Sequence, residues 1–138
     1  MKKSLILFIV FTSFGVSAQK SWRSTTAKEY FDRGNSKYEL KNYRGARVDY
    51  TKAIELNPDY AFAYSNRGLL KDKLKDYYGA IADYTKAIEL NPDYAKAYTN
   101  RGISKENIGD LNGACKDWRK AASLGHSNSA QWVKDLCN

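Results

Sequence analysis

The sequence is poor in the residues that build metal sites and catalytic centres. It contains one histidine, His126, and two cysteines, Cys115 and Cys137. A structural zinc ion needs four Cys, His or carboxylate ligands, and these three residues do not assemble such a set. No Gly-rich phosphate loop is present, and neighbouring carboxylates occur only on what we interpret as solvated helix faces. We therefore expect no enzyme activity, no cofactor and no metal ion.

Charge of one sign is not concentrated anywhere in the chain. Lys and Arg number 23 against 15 Asp and Glu, which gives a formal net charge of +8 at pH 7. A basic protein binds nucleic acid when its cations cluster and aromatic residues lie among them. Here Lys and Glu or Asp are interleaved on each predicted helix. We interpret the balance as favouring solubility, and we expect no nucleic-acid partner.

Long hydrophobic runs are missing except at the N-terminus, where a mostly apolar stretch runs from Leu5 to Val16 behind two lysines. This stretch is shorter than the ~20 residues that span a membrane. Small residues up to Ala18 suit signal cleavage, so we predict a signal peptide over residues 1–18 and a mature chain that begins at Gln19. An uncleaved membrane anchor is the alternative. The prediction implies export to the periplasm or beyond, with no membrane span in the mature chain.

What the chain does have is an internal repeat. The segment from Tyr50 to Ala61 returns letter for letter from Tyr84 to Ala95, an offset of 34 residues. Aligning residues 27–60 with 61–94 gives 22 identities, and aligning 61–94 with 95–128 gives 14. A fixed period of 20–50 residues indicates a repeat protein whose last unit is atypical because one of its faces meets solvent.

The repeated columns resemble the tetratricopeptide repeat (TPR) family, most closely its small exported proteins from Gram-negative bacteria. The resemblance rests on four columns filled in all three units: Gly34, Gly68 and Gly102; Ala46, Ala80 and Ala114; Tyr50, Tyr84 and Trp118; Ala53, Ala87 and Ala121. It implies an all-α, right-handed α-solenoid of three helical hairpins, residues 27–60, 61–94 and 95–128, and a C-terminal capping helix. We assign these columns to the core.

Local signals place the helices within each unit. Residues 19–26 form a polar lead-in, and Trp22 within it is expected to pack on the open face of the first unit. Thr26 and Glu29 predict a capping box at the start of the first helix. First helices are expected to end near Lys41, Leu74 and Ile108, and second helices to cover about 43–56 and 77–90. We predict N-caps at Asn42, Asp76 and Asp110, and at Asp59 and Asp93 after the prolines. A last helix is predicted over about 128–136, with residues 129–138 forming the C-terminal part of the cap and Trp132, Val133 and Leu136 covering the end of the solenoid.

Two further pairings follow from residue positions. Arg33, Arg67 and Arg101 recur sixteen residues before Asp49, Asp83 and Asp117, so we predict Arg–Asp contacts, with independent solvated charges as the alternative. In an oxidising compartment Cys115 and Cys137 are expected to form a disulfide that holds the capping helix. The alternative is one buried and one exposed free thiol.

The resemblance also implies where a partner binds. In this family the first helices of the units line a concave groove that holds an extended peptide or partner segment, and the predicted groove residues are Lys28, Phe31, Asn35, Phe62, Ser65, Asn66, Leu69, Lys96, Thr99, Asn100 and Ile103. Groove positions of the family also fall on Tyr38, Glu39, Asp72, Lys73, Glu106 and Asn107. A family subclass grips a C-terminal carboxylate with a Lys, Asn, Asn, Lys, Arg clamp, and the matching positions are Phe31, Asn35, Asn66, Lys96 and Asn100, so two cations are missing.

We therefore expect a protein-interaction module, an adaptor or scaffold that is monomeric or weakly self-associating. The alternative is a structural subunit of a cell-envelope assembly without an exchangeable ligand.

Overall fold

The computed structural model describes residues 25–137, and this range contains seven α-helices and no strand. They are α1 Ala27–Glu39, α2 Tyr43–Leu56, α3 Ala61–Lys73, α4 Tyr77–Leu90, α5 Ala95–Asn107, α6 Leu111–Ser123 and α7 Ser127–Leu136. Helices α1 and α2, α3 and α4, and α5 and α6 form three hairpins that stack in order, and α7 packs on α6. The predicted all-α solenoid with a capping helix is confirmed. The predicted signal peptide and Trp22 lie outside the described residues.

Within residues 25–137, no helix combines the length and the apolar character that crossing a bilayer requires.

Most helix starts follow the predicted caps. Thr26 and Glu29 form the capping box, in which the Glu29 backbone N–H donates to Thr26 Oγ1 at 3.2 Å and the Thr26 N–H donates to Glu29 Oε2 at 2.7 Å. Asn42, Asp76 and Asp110 accept from the backbone N–H three residues later at 2.8–3.0 Å. These bonds satisfy N–H groups that the first turn of a helix leaves free.

The predicted caps at Asp59 and Asp93 are wrong. The N-cap residues of α3 and α5 are Tyr60 and Tyr94, and neither helix has a side-chain cap. The aspartates lie one residue too early, and their own backbone N–H groups donate to Asn57 Oδ1 and Asn91 Oδ1 at 3.1 and 3.2 Å. The Asn side chain before each proline therefore orders the turn, as asparagines commonly do.

The first helices end slightly earlier than predicted, at Glu39, Lys73 and Asn107. Two residues beyond each end, Lys41, Lys75 and Gly109 adopt positive φ angles of 58°, 61° and 85°. A left-handed residue cannot continue a right-handed helix, so the chain turns there into the second helix.

The repeat columns form the core, as predicted. Ala46, Tyr50, Tyr84 and Trp118 are at most 1% exposed. The glycine column allows the first helix of each hairpin to lie against these rings: a Cβ at Gly102 would stand 2.3 Å from Trp118 Nε1. The absence of a side chain is therefore a packing requirement at this position.

The predicted Arg–Asp contacts are confirmed in all three units. Arg67 donates from Nε and Nη2 to the two oxygens of Asp83 at 2.9 and 2.8 Å, and Arg101 bonds Asp117 in the same way at 2.8 and 2.7 Å. Arg33 is bidentate on Asp49 as well. The aspartates are buried, so the alternative of independent solvated charges is wrong.

Each aspartate also binds a second cation that we did not predict. Lys37, Lys71 and Lys105 place Nζ at 2.7, 2.9 and 2.9 Å from the carboxylates of Asp49, Asp83 and Asp117. These lysines stand four residues after the arginines, so the same 34-residue period marks them in the sequence.

The arginines also join neighbouring units. Arg67 Nη1 donates to Thr51 Oγ1 at 3.3 Å, and Arg101 Nη1 donates to Thr85 Oγ1 at 3.1 Å. Arg33 has no preceding unit in the described range, and its side chain is 50% exposed, against 18% for Arg67 and 15% for Arg101. The first unit therefore keeps the buried carboxylate but leaves its arginine half in solvent.

Asp49 gives this network a predictable pH dependence. Hydrogen bonds from Arg33, aided by Lys37 and opposed by burial, hold the pKa of Asp49 below its ordinary value of 3.8. A depressed folded pKa contributes stability that is present above the unfolded pKa and is lost as pH falls through the folded pKa. We expect the free energy of unfolding, from urea titrations between about pH 5 and pH 2, to fall less steeply in Asp49→Asn than in the wild type. Parallel curves would contradict this assignment.

The capping helix is attached by a covalent bond and by packing. Cys115 and Cys137 form a disulfide with their Cα atoms 5.6 Å apart. The ring centroids of Trp132 and Trp118 lie 5.4 Å apart, and Ser129 Oγ lies 2.9 Å from Thr99 Oγ1. Helix α7 thus covers the surface that a fourth unit would cover in a longer solenoid.

Candidate functional site

Three depressions that share lining residues follow one another from α1 to α7, and together we call them the groove. The first and second depressions share Leu69, and the second and third share Ile103. Their volumes are about 290, 240 and 380 Å³. Since the series begins at α1 and ends at α7, an extended segment of a partner could contact every unit.

The first depression lies between α1, α3 and α5. Asn35 Oδ1 accepts from the Tyr50 hydroxyl at 2.9 Å and from Asn66 Nδ2 at 2.8 Å, which fixes both amides across the two units. Burial raises the pKa of Tyr50 to about 12, so its hydroxyl stays a donor at neutral pH. The remaining lining residues are Tyr38, Glu39, Leu69 and Lys96.

The second depression contains a half-buried carboxylate. Asp72 accepts from the Tyr84 hydroxyl at 2.8 Å and from Ser104 Oγ at 2.7 Å. Burial is the largest cause that raises the pKa of Asp72, and the two hydrogen bonds oppose it. Within residues 25–137 no cation lies at ion-pair distance from Asp72, and the side-chain donors that bond it are two neutral hydroxyls. The other lining residues are Leu69, Lys73, Tyr77, Asn100, Ile103 and Asn107.

The third depression lies at the C-terminal end of the groove, and it is formed by α5, α6 and α7 together. Its lining consists of four apolar or aromatic side chains and one carboxylate: Ile103, Trp118, Trp132, Leu136 and Glu106. Trp118 is only 1% exposed and lies almost fully buried behind this lining, whereas Leu136 is 44% exposed and open to a ligand.

Six of the predicted groove residues line these depressions: Asn35, Asn66, Leu69, Lys96, Asn100 and Ile103. Three others lie on the same helices outside them. Lys28 is paired with Asp32 at 2.6 Å, Phe31 packs on the Tyr60 ring at a centroid distance of 4.9 Å, and Phe62 is 52% exposed.

Two predicted groove residues, Ser65 and Thr99, need correction. They are only 2% and 3% exposed, so neither is available to a ligand on the surface. Thr99 instead contacts Ser129 of the capping helix and accepts, through its backbone oxygen, the Trp118 Nε1–H at 3.3 Å. Small side chains at this position let the following helix approach closely, which the family pattern alone does not reveal.

The lining also contains residues that the sequence analysis did not place there: Tyr77, Trp118, Trp132 and Leu136. Trp118 remains a core residue, whereas Trp132 and Leu136, which are predicted only as part of the cap, also line the groove. For Trp132 and Leu136 the available signal is their position in the cap, where no further unit covers large apolar side chains, and Tyr77 at the start of α4 carries no such signal.

The groove keeps three of the five residues of the carboxylate clamp. Asn35, Asn66 and Lys96 line the first depression, but Asn35 and Asn66 are already bonded to each other. Phe31 and Asn100 occupy the positions of the clamp's Lys and Arg. The described groove therefore offers one clamp cation, Lys96, to a C-terminal carboxylate.

Comparisons with family models and solved structures agree with this fold. Tetratricopeptide repeat models match residues 61–94 and 83–116, and a TPR repeat model matches residues 34–75. The first TPR of Spaghetti (RPAP3) bound to the HSP90 peptide SRMEEVD is 26% identical with a TM-score of 0.78, covering 83% of this chain and 92% of that one. No match was found among curated proteins.

Two further structures are more similar in sequence. The second TPR of Spaghetti (RPAP3), bound to the same peptide, is 31% identical with a TM-score of 0.71, covering 79% of this chain and 99% of that one. The Arabidopsis OM64 TPR domain is 30% identical with a TM-score of 0.77, covering 81% of this chain and 94% of that one. With three stacked helical hairpins, a continuous groove and these matches, the chain belongs to the tetratricopeptide repeat family of protein-interaction modules.

Proposed function

We propose that the protein is an adaptor that binds an extended peptide segment of a partner protein in the groove. The observation that carries the proposal is the continuity of the three depressions from α1 to α7. Leu69 and Ile103 supply apolar contacts at the two junctions. Asn100 and the Asn66 amide oxygen, which takes no part in the bond from Asn66 Nδ2 to Asn35, offer polar groups to a peptide backbone. Extended peptides are recognised by such a combination of polar groups and side-chain pockets. The peptide-bound Spaghetti (RPAP3) domains support this use of the fold.

The peptide that this groove selects differs in charge from the one in those structures. SRMEEVD carries three acidic residues near its C-terminus. Here two clamp cations are absent, and the three linings carry three carboxylates, Glu39, Asp72 and Glu106, against two lysines, Lys73 and Lys96. Like charges across an interface disfavour binding. We infer that acidic C-terminal peptides are poor ligands of this chain.

Leu69 offers the sharpest test, because it belongs to two depressions and is not a core residue. In Leu69→Arg a long charged side chain would fill both, so peptides selected on the wild type from a displayed random library should bind this variant at least ~10-fold more weakly by fluorescence anisotropy. The matched control is Val48→Arg, since Val48 is 56% exposed on α2 and lines none of the three depressions. If both variants lost peptide affinity equally, or if neither lost affinity, the groove would not be the binding site.

A second candidate function rests on an apolar edge. Leu40, Leu74, Tyr78 and Leu111 lie at the turns between the first and second helices of the units and are 43–80% exposed. An exposed apolar series of this kind suits packing into a larger assembly. The structural-subunit alternative therefore predicts self-association that Leu74→Asp with Tyr78→Asp abolishes, as measured by sedimentation equilibrium. An adaptor should sediment as a monomer with or without these changes.

We further propose that the protein acts outside the cytoplasm, in the periplasm or beyond, of a Gram-negative bacterium. The signal-like sequence up to Ala18 supports this, and so does the Cys115–Cys137 disulfide, because such bonds persist in oxidising compartments. N-terminal sequencing of the protein from a cell-envelope fraction should find Gln19 as the first residue. A cytosolic protein that retains Met1 would contradict the proposal.

A further inference from the structure

The C-terminal end of the groove differs from the rest in its walls and its charge. Trp132 and Leu136 of α7 line the third depression together with Ile103 of α5 and the almost fully buried Trp118 of α6. Trp132 meets Trp118 at a centroid distance of 5.4 Å, which holds the ring in place. The capping helix therefore closes the solenoid and also supplies one wall of a depression of about 380 Å³.

The charge of this depression is uncompensated. Lys96 lines the first depression and Lys73 the second, but the described lining of the third contains Glu106 and no cation. Lys105, the neighbour of Glu106 in sequence, is held by Asp117 at 2.9 Å. Glu106 is exposed and forms no side-chain ion pair within residues 25–137. An exposed carboxylate beside an aromatic and aliphatic wall is complementary to a long cationic side chain.

We propose that the third depression is the anchor site for an Arg or Lys side chain of the bound partner segment. The aliphatic stem of such a residue would lie along Ile103 and Leu136, as the stems of long cationic side chains commonly do on apolar surface. Its charged group would meet Glu106 and the ring of Trp132, since Trp is the strongest cation–π partner among the side chains. The inference rests on the proposed peptide-binding function and adds the chemistry of the ligand at one end.

The test uses the full chain and a displayed library of random decapeptides, which are selected on the wild type. We expect the selected peptides to share an Arg or Lys at one position. The best Arg peptide is then synthesised again with citrulline, its neutral isostere, and both are titrated by fluorescence anisotropy. Citrulline should weaken binding to the wild type by roughly 3–10-fold. Glu106→Gln should weaken binding of the Arg peptide by a similar factor and leave the citrulline peptide unchanged.

Two controls make the outcome specific. Glu89→Gln removes an exposed carboxylate from α4 outside the three depressions, and it should bind the Arg peptide as the wild type does. Circular dichroism and urea unfolding check that Glu106→Gln keeps its helices. A selected set without a shared basic residue, or an Arg peptide that binds Glu106→Gln as tightly as the wild type, would overturn the anchor site.

The two proposals can fail separately. Peptides that lose affinity in Leu69→Arg but show no preference for Arg over citrulline would retain the groove and overturn only the anchor site. If peptides bound Leu69→Arg and Glu106→Gln as tightly as the wild type, the result would contradict the groove function and the anchor site together.

Discussion

Replacing Asp83 with asparagine is expected to lower the free energy of unfolding by about 3–5 kcal/mol. The side chain of Asp83 is 6% exposed and accepts from Arg67 Nε and Nη2 and from Lys71 Nζ at 2.8–2.9 Å. Asparagine keeps one acceptor oxygen and turns an N–H₂ donor toward two cations. Arg67 and Lys71 are only 18% and 22% exposed, so solvent cannot easily replace the lost carboxylate. Urea unfolding at neutral pH measures the effect.

Asp49→Asn is the matched control for this prediction. Its carboxylate is just as buried, but Arg33 is 50% and Lys37 32% exposed, so both cations can turn to water when the partner is lost. We expect a smaller cost of about 1–2 kcal/mol. If the two variants lost equal stability, burial of the carboxylate alone would explain the effect. If Asp83→Asn lost less than ~1 kcal/mol, the network would contribute no more than a surface ion pair.

The architecture could be predicted because the repeat, the helix caps and the glycine column all indicate the same fold. The 34-residue identity sets the repeat, the Asn and Asp caps set the starts of the second helices, and the glycine column sets the closest helix contact. The Arg–Asp pairs could be predicted because both residues recur with the same 34-residue period. Lys71 and its equivalents follow the same period, but a carboxylate that already pairs with an arginine gives no sequence signal of a second cation.

The groove was less predictable, since which face of a helix stays open depends on how closely the next unit approaches. Ser65 and Thr99 fall on the expected face by position but are covered by neighbouring helices. The third depression depends on Ile103 and Trp132, which are distant in sequence and meet only through the packing angle of α7. No local pattern encodes that angle. The place of a residue within one helix can therefore be predicted from the sequence, whereas a surface that three helices form together cannot.

Removing the disulfide is expected to lower the free energy of unfolding by about 3 kcal/mol. Cys115 and Cys137 are 22 residues apart, and a bond across such a loop restricts the unfolded chain. In Cys115→Ala with Cys137→Ala the capping helix keeps the Trp132–Trp118 contact and the bond from Arg119 Nη2 to the Cys137 carbonyl oxygen at 2.8 Å. Helix α7 has only α6 as its main neighbour, so we expect it to open before the other helices.

Two measurements separate this effect from a general loss of packing. Urea unfolding of the wild type with and without dithiothreitol should show the same drop as the alanine variant, and the reductant should leave that variant unchanged. Hydrogen exchange should accelerate first in the amides of α7, while those of α3 and α4, the central hairpin, remain protected. Because α7 carries Trp132 and Leu136, the same variant should bind peptides less tightly than the wild type does. The loss of affinity should be larger for peptides with an anchoring basic residue than for peptides that depend only on contacts with Leu69. If exchange rose equally in all helices, the bond would stabilise the whole solenoid, and the capping helix would not be a separable wall of the groove.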